Sequence, residues 1–446
     1  MFEALAKIIE AGFCSGCGVC VASCASSCLA MRFTEQGELA PVLSGACTSC
    51  GTCLRVCPFA PDNPDTTLLA RMRFADSPGT QYNEITGHYL ESYYAYRRDE
   101  EARWQASSGG ICGWLLEELL RREMVDSVLL VAPSSGQDLF AYKAVTGPAE
   151  VRSASRSVYY PVDAAKAVRL ALETPGRYAL VGLPCVLRGV ELLKTTRPLL
   201  RERIVFSLGL VCGQQKSAHF TEFLAVQAGL RERPVIVDYR TKQRGEPASN
   251  FAFCYRGASG GTATITMNDI AQFWTEDWFK VHACNACDDI FAECADITLM
   301  DAWLPAFARD SRGANLLLVR NPQLKRMLDM GAADGVIHLT PIEIAQVIAS
   351  QQGVVDDKRL GLAVRRSQGM SPPQDMRFPV PPPRSARERC WQWLSARIFH
   401  HKYRINRLTR DANGHAFEKS IRKAIERDSV VLRLVRRIRS LLRPVN

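Results

Sequence analysis

Nine of the chain's 17 cysteines fall within the first 57 of 446 residues. They form two runs, Cys14-x2-Cys17-x2-Cys20-x3-Cys24 and Cys47-x2-Cys50-x2-Cys53-x3-Cys57-Pro58, with Cys28 left over. Three closely spaced thiolates in a tight turn can cap three irons of one cubane. The fourth cysteine, four residues on, points away toward a second cubane. The expected ligand sets are therefore Cys14, Cys17, Cys20 and Cys57 for one 4Fe–4S cluster, and Cys47, Cys50, Cys53 and Cys24 for the other. The small residues Ser15, Gly16, Gly18, Ser49 and Gly51 let the backbone wrap closely. A structural zinc site would favour two separated Cys-x2-Cys pairs instead of consecutive triplets. Cys28 reads either as a buried thiol or as a further ligand.

A second group is looser. Cys284-x2-Cys287 follows an aromatic stretch, with Cys294 close behind. Alone, such a pair fits a redox couple, half a metal site or two ordinary thiols. In a chain already built for clusters it reads as a third 4Fe–4S site, with further ligands to be drawn from Cys185, Cys212, Cys294 or Cys28. Cys185 follows the apolar segment Tyr178–Gly182, and Cys212 ends another. Both should sit at strand carboxyl ends, where α/β folds place their ligands. They read as cofactor-facing or as buried structural thiols. Ser107-Ser108-Gly109-Gly110 opens a helix and would expose backbone N–H groups at its positive end, a seat for phosphate or a flavin edge. An ordinary N-cap by Ser107 or Ser108 is the simpler reading. Arg156, Lys166, Arg240 and Lys242 are either partners for an anionic cofactor or solvated charges. No triad, paired-carboxylate pattern or HExxH motif points to hydrolysis.

These residues need elements to hold them. Four segmental signals define the layout. Residues 1–62 are the cysteine region, and 63–87 are a polar connector. Residues 88–370 alternate helical and strand patterns, an α/β body. Six prolines crowd 371–383, a semi-rigid linker. A basic helical tail fills 384–446. Within the body, helices are expected at Ile111–Glu123 and Asp163–Glu173, and strands at Ser127–Ala132, Tyr178–Gly182, Ile204–Val211 and Leu316–Arg320. Phe251–Tyr255 and Thr262–Thr266 should pair as a hairpin. In the cysteine region, Met31–Leu43 should form a hairpin turning at Gly37.

Composition excludes several classes. Apolar residues make up 47% and charged residues 23%, which argues against wholesale disorder. Glu3, Lys7 and Glu10 interrupt the opening stretch, so no secretory signal is expected. No run of 18 apolar residues occurs, so no membrane-spanning helix is expected. The thiols belong to a reducing cytoplasm. The net charge of +10 is local: residues 384–446 carry 17 Lys/Arg against 5 Asp/Glu, and the rest 39 against 41. The near-neutral body is not that of a nucleic-acid binder. In the tail, Arg433, Arg436, Arg437, Arg439 and Arg443 alternate with Val431, Leu434, Val435, Ile438, Leu441 and Leu442. Such a helix either lies on an anionic membrane surface, with Trp391, Trp393 and Phe399 as anchors, or packs on the body or a partner.

The N-terminal runs resemble a bacterial two-cluster ferredoxin. The body resembles the coenzyme F-420 hydrogenase/dehydrogenase beta subunits, a family that includes hydroxymethyl-chlorophyll reductase and vinyl reductases of chlorophyll synthesis. The marks are Ser107–Gly110; Ser155-Arg156-Ser157 with Tyr159-Tyr160; Val181–Cys185; Val211-Cys212-Gly213; Tyr239-Arg240 with Lys242 and Gly245; Cys284-x2-Cys287; Ala295-Asp296-Ile297 leading to Asp301-Ala302-Trp303; and Gly313 before Leu317–Arg320. They span about residues 88–322. Cys294 departs from the family, which usually has an aliphatic residue there. The resemblance implies a FAD-binding body held by Ser107–Gly110, Arg156 and Cys185, fed or drained by the clusters, with coenzyme F-420 as one hydride partner. Ferredoxin, another electron-transfer protein or a hydride-carrier coenzyme would be the redox partner. No substrate follows. The alternative is a non-catalytic ferredoxin-type relay subunit of a larger complex, peripheral at the inner membrane surface.

Overall fold

In the computed structural model, residues 2–441 are described except 135, 137, 155, 371–376, 378–379, 381 and 411–418. Most of the proline segment, and Ser155, Leu442 and Arg443, therefore lie outside the described residues.

An eight-stranded mixed sheet organises the chain. Its spatial order is Ile337–Pro341, Glu91–Arg97, Asn315–Val319, Ile297–Asp301, Ile204–Leu210, Tyr178–Gly182, Ser127–Pro133 and Phe140–Val145. The four strands from Ile297–Asp301 to Ser127–Pro133 run parallel, and antiparallel strands close both flanks. Parallel strands buried on both faces read as near-continuous apolar runs. Tyr178–Gly182 and Ile204–Leu210 are of this kind, and they form almost where the sequence places them. The expected hairpin forms as Ala252–Gly257 with Thr262–Thr266, and Pro234–Thr241 adds a third strand.

Helices cover the sheet. Ile111–Arg121 buries Ile111, Trp114, Leu115, Leu116 and Leu119, spaced for one helical face. It stops where Glu123 takes a left-handed φ of 53°. Pro184–Thr196 starts with proline at its first turn, where the missing N–H costs nothing.

The cysteine region does not stand apart. Leu5, Val19 and Val56 share a buried cluster with Leu180, Leu187 and Val190 of the body. A Cβ on Gly189 would lie 3.0 Å from the Val19 side chain and 3.4 Å from the Val56 carbonyl. The segment read as a polar connector is also packed. Asp65 caps the helix Thr66–Phe74, and Arg73 pairs with Glu191 at 2.7 Å and Asp296 at 2.5 Å. In the proline segment Arg377 is held by Asp288 and Glu293, both at 2.9 Å.

The tail folds into two helices, Ala386–Arg410 and Lys419–Leu441. Leu394, Ile398, Ile405, Ile425, Leu432 and Val435 bury against the body's Phe220, Phe223 and Phe279. Of the residues the sequence singled out in the tail, Val435 and Phe399 are buried, whereas Leu434, Ile438 and Trp393 stay exposed. No helix among the described residues is long and apolar enough to cross a membrane.

Candidate functional site: three thiol quartets and a cationic turn

The two N-terminal runs are conformational copies 33 residues apart. Gly18 and Gly51 precede the short helices Val19–Ala22 and Thr52–Arg55 with φ of 78° and 74°. Gly16 and Ser49 take the same left-handed region at 70° and 55°. A Cβ on Gly16 would come within 2.9 Å of the Leu39 carbonyl, so only glycine fits there. The hairpin between the runs pairs Leu29–Phe33 with Leu39–Leu43 and turns at Gly37.

Cys14, Cys17, Cys20 and Cys57 line one cavity together with Leu5, Ile8, Val56 and Phe59. This is the expected first set. Burial pushes the Cys57 thiol up to about 12, and the Cys17 sulfur adds to the rise. Cys14 and Cys20 are raised by burial and by the other sulfurs. Four such thiols ionise together only around a cationic centre, and a 4Fe–4S core is one. The donors therefore fit that group. Cys53 presses on Cys20 too, so the second set adjoins the first. Within the second set, Cys47 and Cys50 are exposed, while Cys53 and Cys24 are half-buried. The surplus Cys28 places its sulfur 3.4 Å from Cys24. Cys50→Ala should remove about four irons per chain and leave the first cluster and any flavin in place. Iron analysis and visible spectra check this; unchanged iron would sink the ligand assignment.

The third constellation is assembled by the sheet. Cys185 opens the helix after Tyr178–Gly182, and Cys212 lies two residues beyond Ile204–Leu210. Cys284 sits in the turn His282–Asn285, with Cys287 just after it. After burial, the influences raising Cys185 are the sulfurs of Cys17, Cys212, Cys287 and Cys284. Burial pushes Cys212 up to about 12; Lys358 opposes the rise, and Cys284 and Cys287 add to it. Gln215 ties the group together. Its backbone N–H donates to Cys284 Sγ at 3.2 Å, and its Nε2 to Cys185 Sγ at 3.5 Å and to the Ser15 carbonyl at 3.3 Å. Lys358 Nζ donates to Cys287 Sγ at 3.2 Å and the Asp289 carbonyl at 2.8 Å. Cys185 and Cys287 line a cavity with Pro58 and Phe59, which also line the cavity of the first set.

Two of the four further candidates offered by the sequence, Cys185 and Cys212, thus lie near Cys284 and Cys287. The other two do not. Cys28 stays beside Cys24, and Cys294 packs on Leu69 and Leu192 with its carbonyl held by Arg73. Cys185, expected at the flavin, falls among the sulfurs. Among the described residues no three His, Cys, Asp or Glu side chains gather as for a single metal ion.

The Ser107–Gly110 turn is built from outside. Ser107 Oγ accepts from the Ser157 N–H at 2.7 Å, and Ser108 Oγ donates to the Ala314 carbonyl at 2.8 Å. Neither caps the helix; Gly110 stands at its start with φ of 82°. A Cβ on Gly109 would meet Asn315 Oδ1 at 2.8 Å and the Ala95 carbonyl at 2.9 Å. Lys242 Nζ spans the carbonyls of Arg103, Ser108 and Arg312 at 2.6, 2.8 and 2.5 Å. Burial and then the nearby Arg103, Arg240 and Arg156 push Lys242 down to about 7, against the pull of Asp301. Arg240 grips both oxygens of Asp301 at 3.0 Å and donates to the Ser107 carbonyl at 3.0 Å and Tyr159 Oη at 3.3 Å. Arg156 reaches Asp238 at 3.5 Å. Lys166, by contrast, is a solvent-exposed helix residue.

The turn and the third quartet both lie off the carboxyl ends of the parallel strands. A short path joins them. Gln214, next to Gln215, donates to the Trp274 carbonyl at 3.2 Å; the Trp274 ring meets Tyr159 at 4.8 Å; and Tyr159 contacts Arg240. Lys358, Gln215 and Arg103 carry no sequence signal beyond their type.

The pattern of the coenzyme F-420 hydrogenase/dehydrogenase beta subunit N-terminal region matches residues 92–169, and that of its C-terminal region matches residues 176–345. The chain belongs to this family. A 4Fe-4S dicluster domain pattern matches residues 13–60. The beta-subunit family and the dicluster domain together imply an electron-transfer oxidoreductase with iron–sulfur clusters. One solved chain, from the F-420-reducing nickel–iron hydrogenase complex of Methanosarcina barkeri, is 15% identical, covers 67% of this chain and 99% of its own, and has a TM-score of 0.49. No curated protein sequence matches.

Proposed function

We propose that this chain is a cytoplasmic iron–sulfur flavoprotein oxidoreductase that moves electrons between three 4Fe–4S clusters and a FAD. The observation that carries the reading is the third quartet, which stands between the dicluster region and the cationic turn. Cys47 and Cys50 are exposed. The second set is therefore the port for an external one-electron carrier such as a ferredoxin. The first set passes charge inward, and Cys185, Cys212, Cys284 and Cys287 bring it beside the turn.

Ser107–Gly110 and Arg156 would hold the FAD, whose phosphates suit the positive end of the helix opened by the turn and the Arg156 guanidinium. When bound, the flavin supplies exchange between single electrons and a hydride, and coenzyme F-420 is the hydride partner suggested by the family. The chain's own residues orient and exclude water. Arg240 and Asp301 fix the turn, and Tyr159 and Trp274 close the space toward the quartet.

Anaerobic purification should yield brown protein with about twelve irons per chain, three cubanes of four, and one releasable FAD. Protein without iron and flavin would overturn the reading. Clusters without flavin would identify a relay subunit instead. Arg156→Gln removes one charge-assisted contact to phosphate. It should weaken FAD retention about tenfold, close to 1.4 kcal/mol, with iron unchanged. Titration of the deflavinated protein with FAD measures this, and equal affinities would move the phosphates elsewhere.

A further inference from the structure

The tail's two helices pack antiparallel. Arg439 Nη1 donates to Ser395 Oγ at 3.2 Å, and His401 meets Asp428 at 2.8 Å. Of the apolar face the sequence offered to a membrane, Val431 and Val435 turn toward the body, while Leu434 and Ile438 stay exposed. An outward face therefore remains. Among the described residues of the two helices, ten Lys/Arg are exposed against one acidic residue, Glu426. Within that cationic face lies an apolar stripe. Val430, Leu434 and Ile438 recur every four residues and are 55%, 60% and 42% exposed, and Trp393 on the other helix is 58% exposed.

We infer that this outward face docks the protein on an anionic lipid surface. Three features favour lipid over other polyanions. Arginines and aliphatic side chains share the face, as in helices that lie in the interface plane with cations at the phosphates and apolar groups just below. An exposed indole, Trp393, on the neighbouring helix suits the headgroup level. The helices of 25 and 23 residues would lie along the surface for roughly 35 Å. A nucleic acid would match the charge but leave the stripe in water. The inference is independent of the redox reading, since it uses no residue of the quartets or the turn.

Full-length protein should sediment with vesicles of phosphatidylcholine mixed with phosphatidylglycerol, and not with phosphatidylcholine alone. Arg427→Glu with Arg433→Glu and Arg437→Glu should lower the vesicle-bound fraction about tenfold or more. Leu434→Ser with Ile438→Ser should lower it severalfold at low salt. Unchanged iron content and melting temperature in both variants show that the fold survives. Binding that ignores either variant, binding to neutral vesicles alone, or no binding at all overturns the inference. So does equally strong binding to duplex DNA lost in the charge-reversal variant but kept in the serine variant.

Discussion

Cys185→Ala should purify with about eight irons in place of about twelve, and its flavin should no longer be reduced efficiently by the remaining clusters. Cys185 is a proposed ligand of the third cluster and is tied to the first run. Gln215 links its sulfur to the Ser15 carbonyl of the first run, and its helix starts at the strand end that faces the turn. Losing an outer-shell partner of a metal ligand already costs 10–100-fold. Losing the ligand should slow cluster-to-flavin transfer by about a hundredfold or more, measured by anaerobic stopped-flow at the flavin band. Cys294→Ala is the contrast. That thiol packs on Leu69 and Leu192 away from the quartet, so its iron content and transfer rate should stay at the parent level. If Cys294→Ala lost iron and Cys185→Ala did not, the third site would be misassigned.

Asp357→Ala should be among the most destabilising substitutions in the chain. This buried carboxylate faces Lys280 at 2.9 Å, Arg365 at 3.0 Å and Lys402 at 3.6 Å. Removing it strands cations in the interior, a loss of about 3–5 kcal/mol for a broken buried pair. Anaerobic chemical or thermal denaturation would show it as a lowered midpoint. The damage should reach the third quartet, because Asp357 begins the π-turn Asp357–Gly361 that brings Lys358 to Cys287. Such turns put consecutive residues inward that an α-helix would separate. The pH dependence follows from the same charges. Burial pushes Asp357 up, but Arg365, Lys280 and Lys402 outweigh it and hold the carboxyl well below its ordinary value. A depressed folded-state value stabilises fully above the unfolded value, near 4, and the gain fades as pH falls toward the folded one. The parent protein should therefore lose stability below about pH 4 more steeply than Asp357→Ala. Parallel acid profiles of the two would refute the assignment.

The sequence made local chemistry legible and left topology hidden. The two expected N-terminal sets could be read because each triplet is held by one turn, and the fourth ligand is the cysteine that closes the other run. The third quartet could not be completed. Cys185 and Cys212 meet Cys284 and Cys287 only because neighbouring parallel strands end side by side, so Cys294, nearer in sequence, was an equal candidate. The central strands were legible as apolar runs. Glu91–Arg97 was not: it is rich in tyrosine and charge, and it gains its place from pairing on both sides. The segment 63–87 looked like a connector because its polar residues hide a short capped helix. The tail's helical period was visible, but its inner face could not be told from a lipid-facing one until its partners were known. Lys358 and Gln215 are single polar residues in ordinary surroundings; only their contact with sulfur marks them.

One contact sets an order of events in the making of the protein. Asn285, between Cys284 and Cys287, gives its amide N–H to Asn406, 2.8 Å away in the first tail helix. Asn406 in turn donates to the carbonyls of Asp277 and Lys280, and Thr409 receives the Phe279 N–H. Farther along, Arg410 fastens Glu38 of the N-terminal hairpin at 3.1 Å. The loop carrying two of the four inner sulfurs therefore lacks these partners until the ribosome has passed residue 406. By then all eight cysteines of the outer pair of sets have long emerged. The loop that carries Cys284 and Cys287 thus gains its last partners from the chain's own late segment.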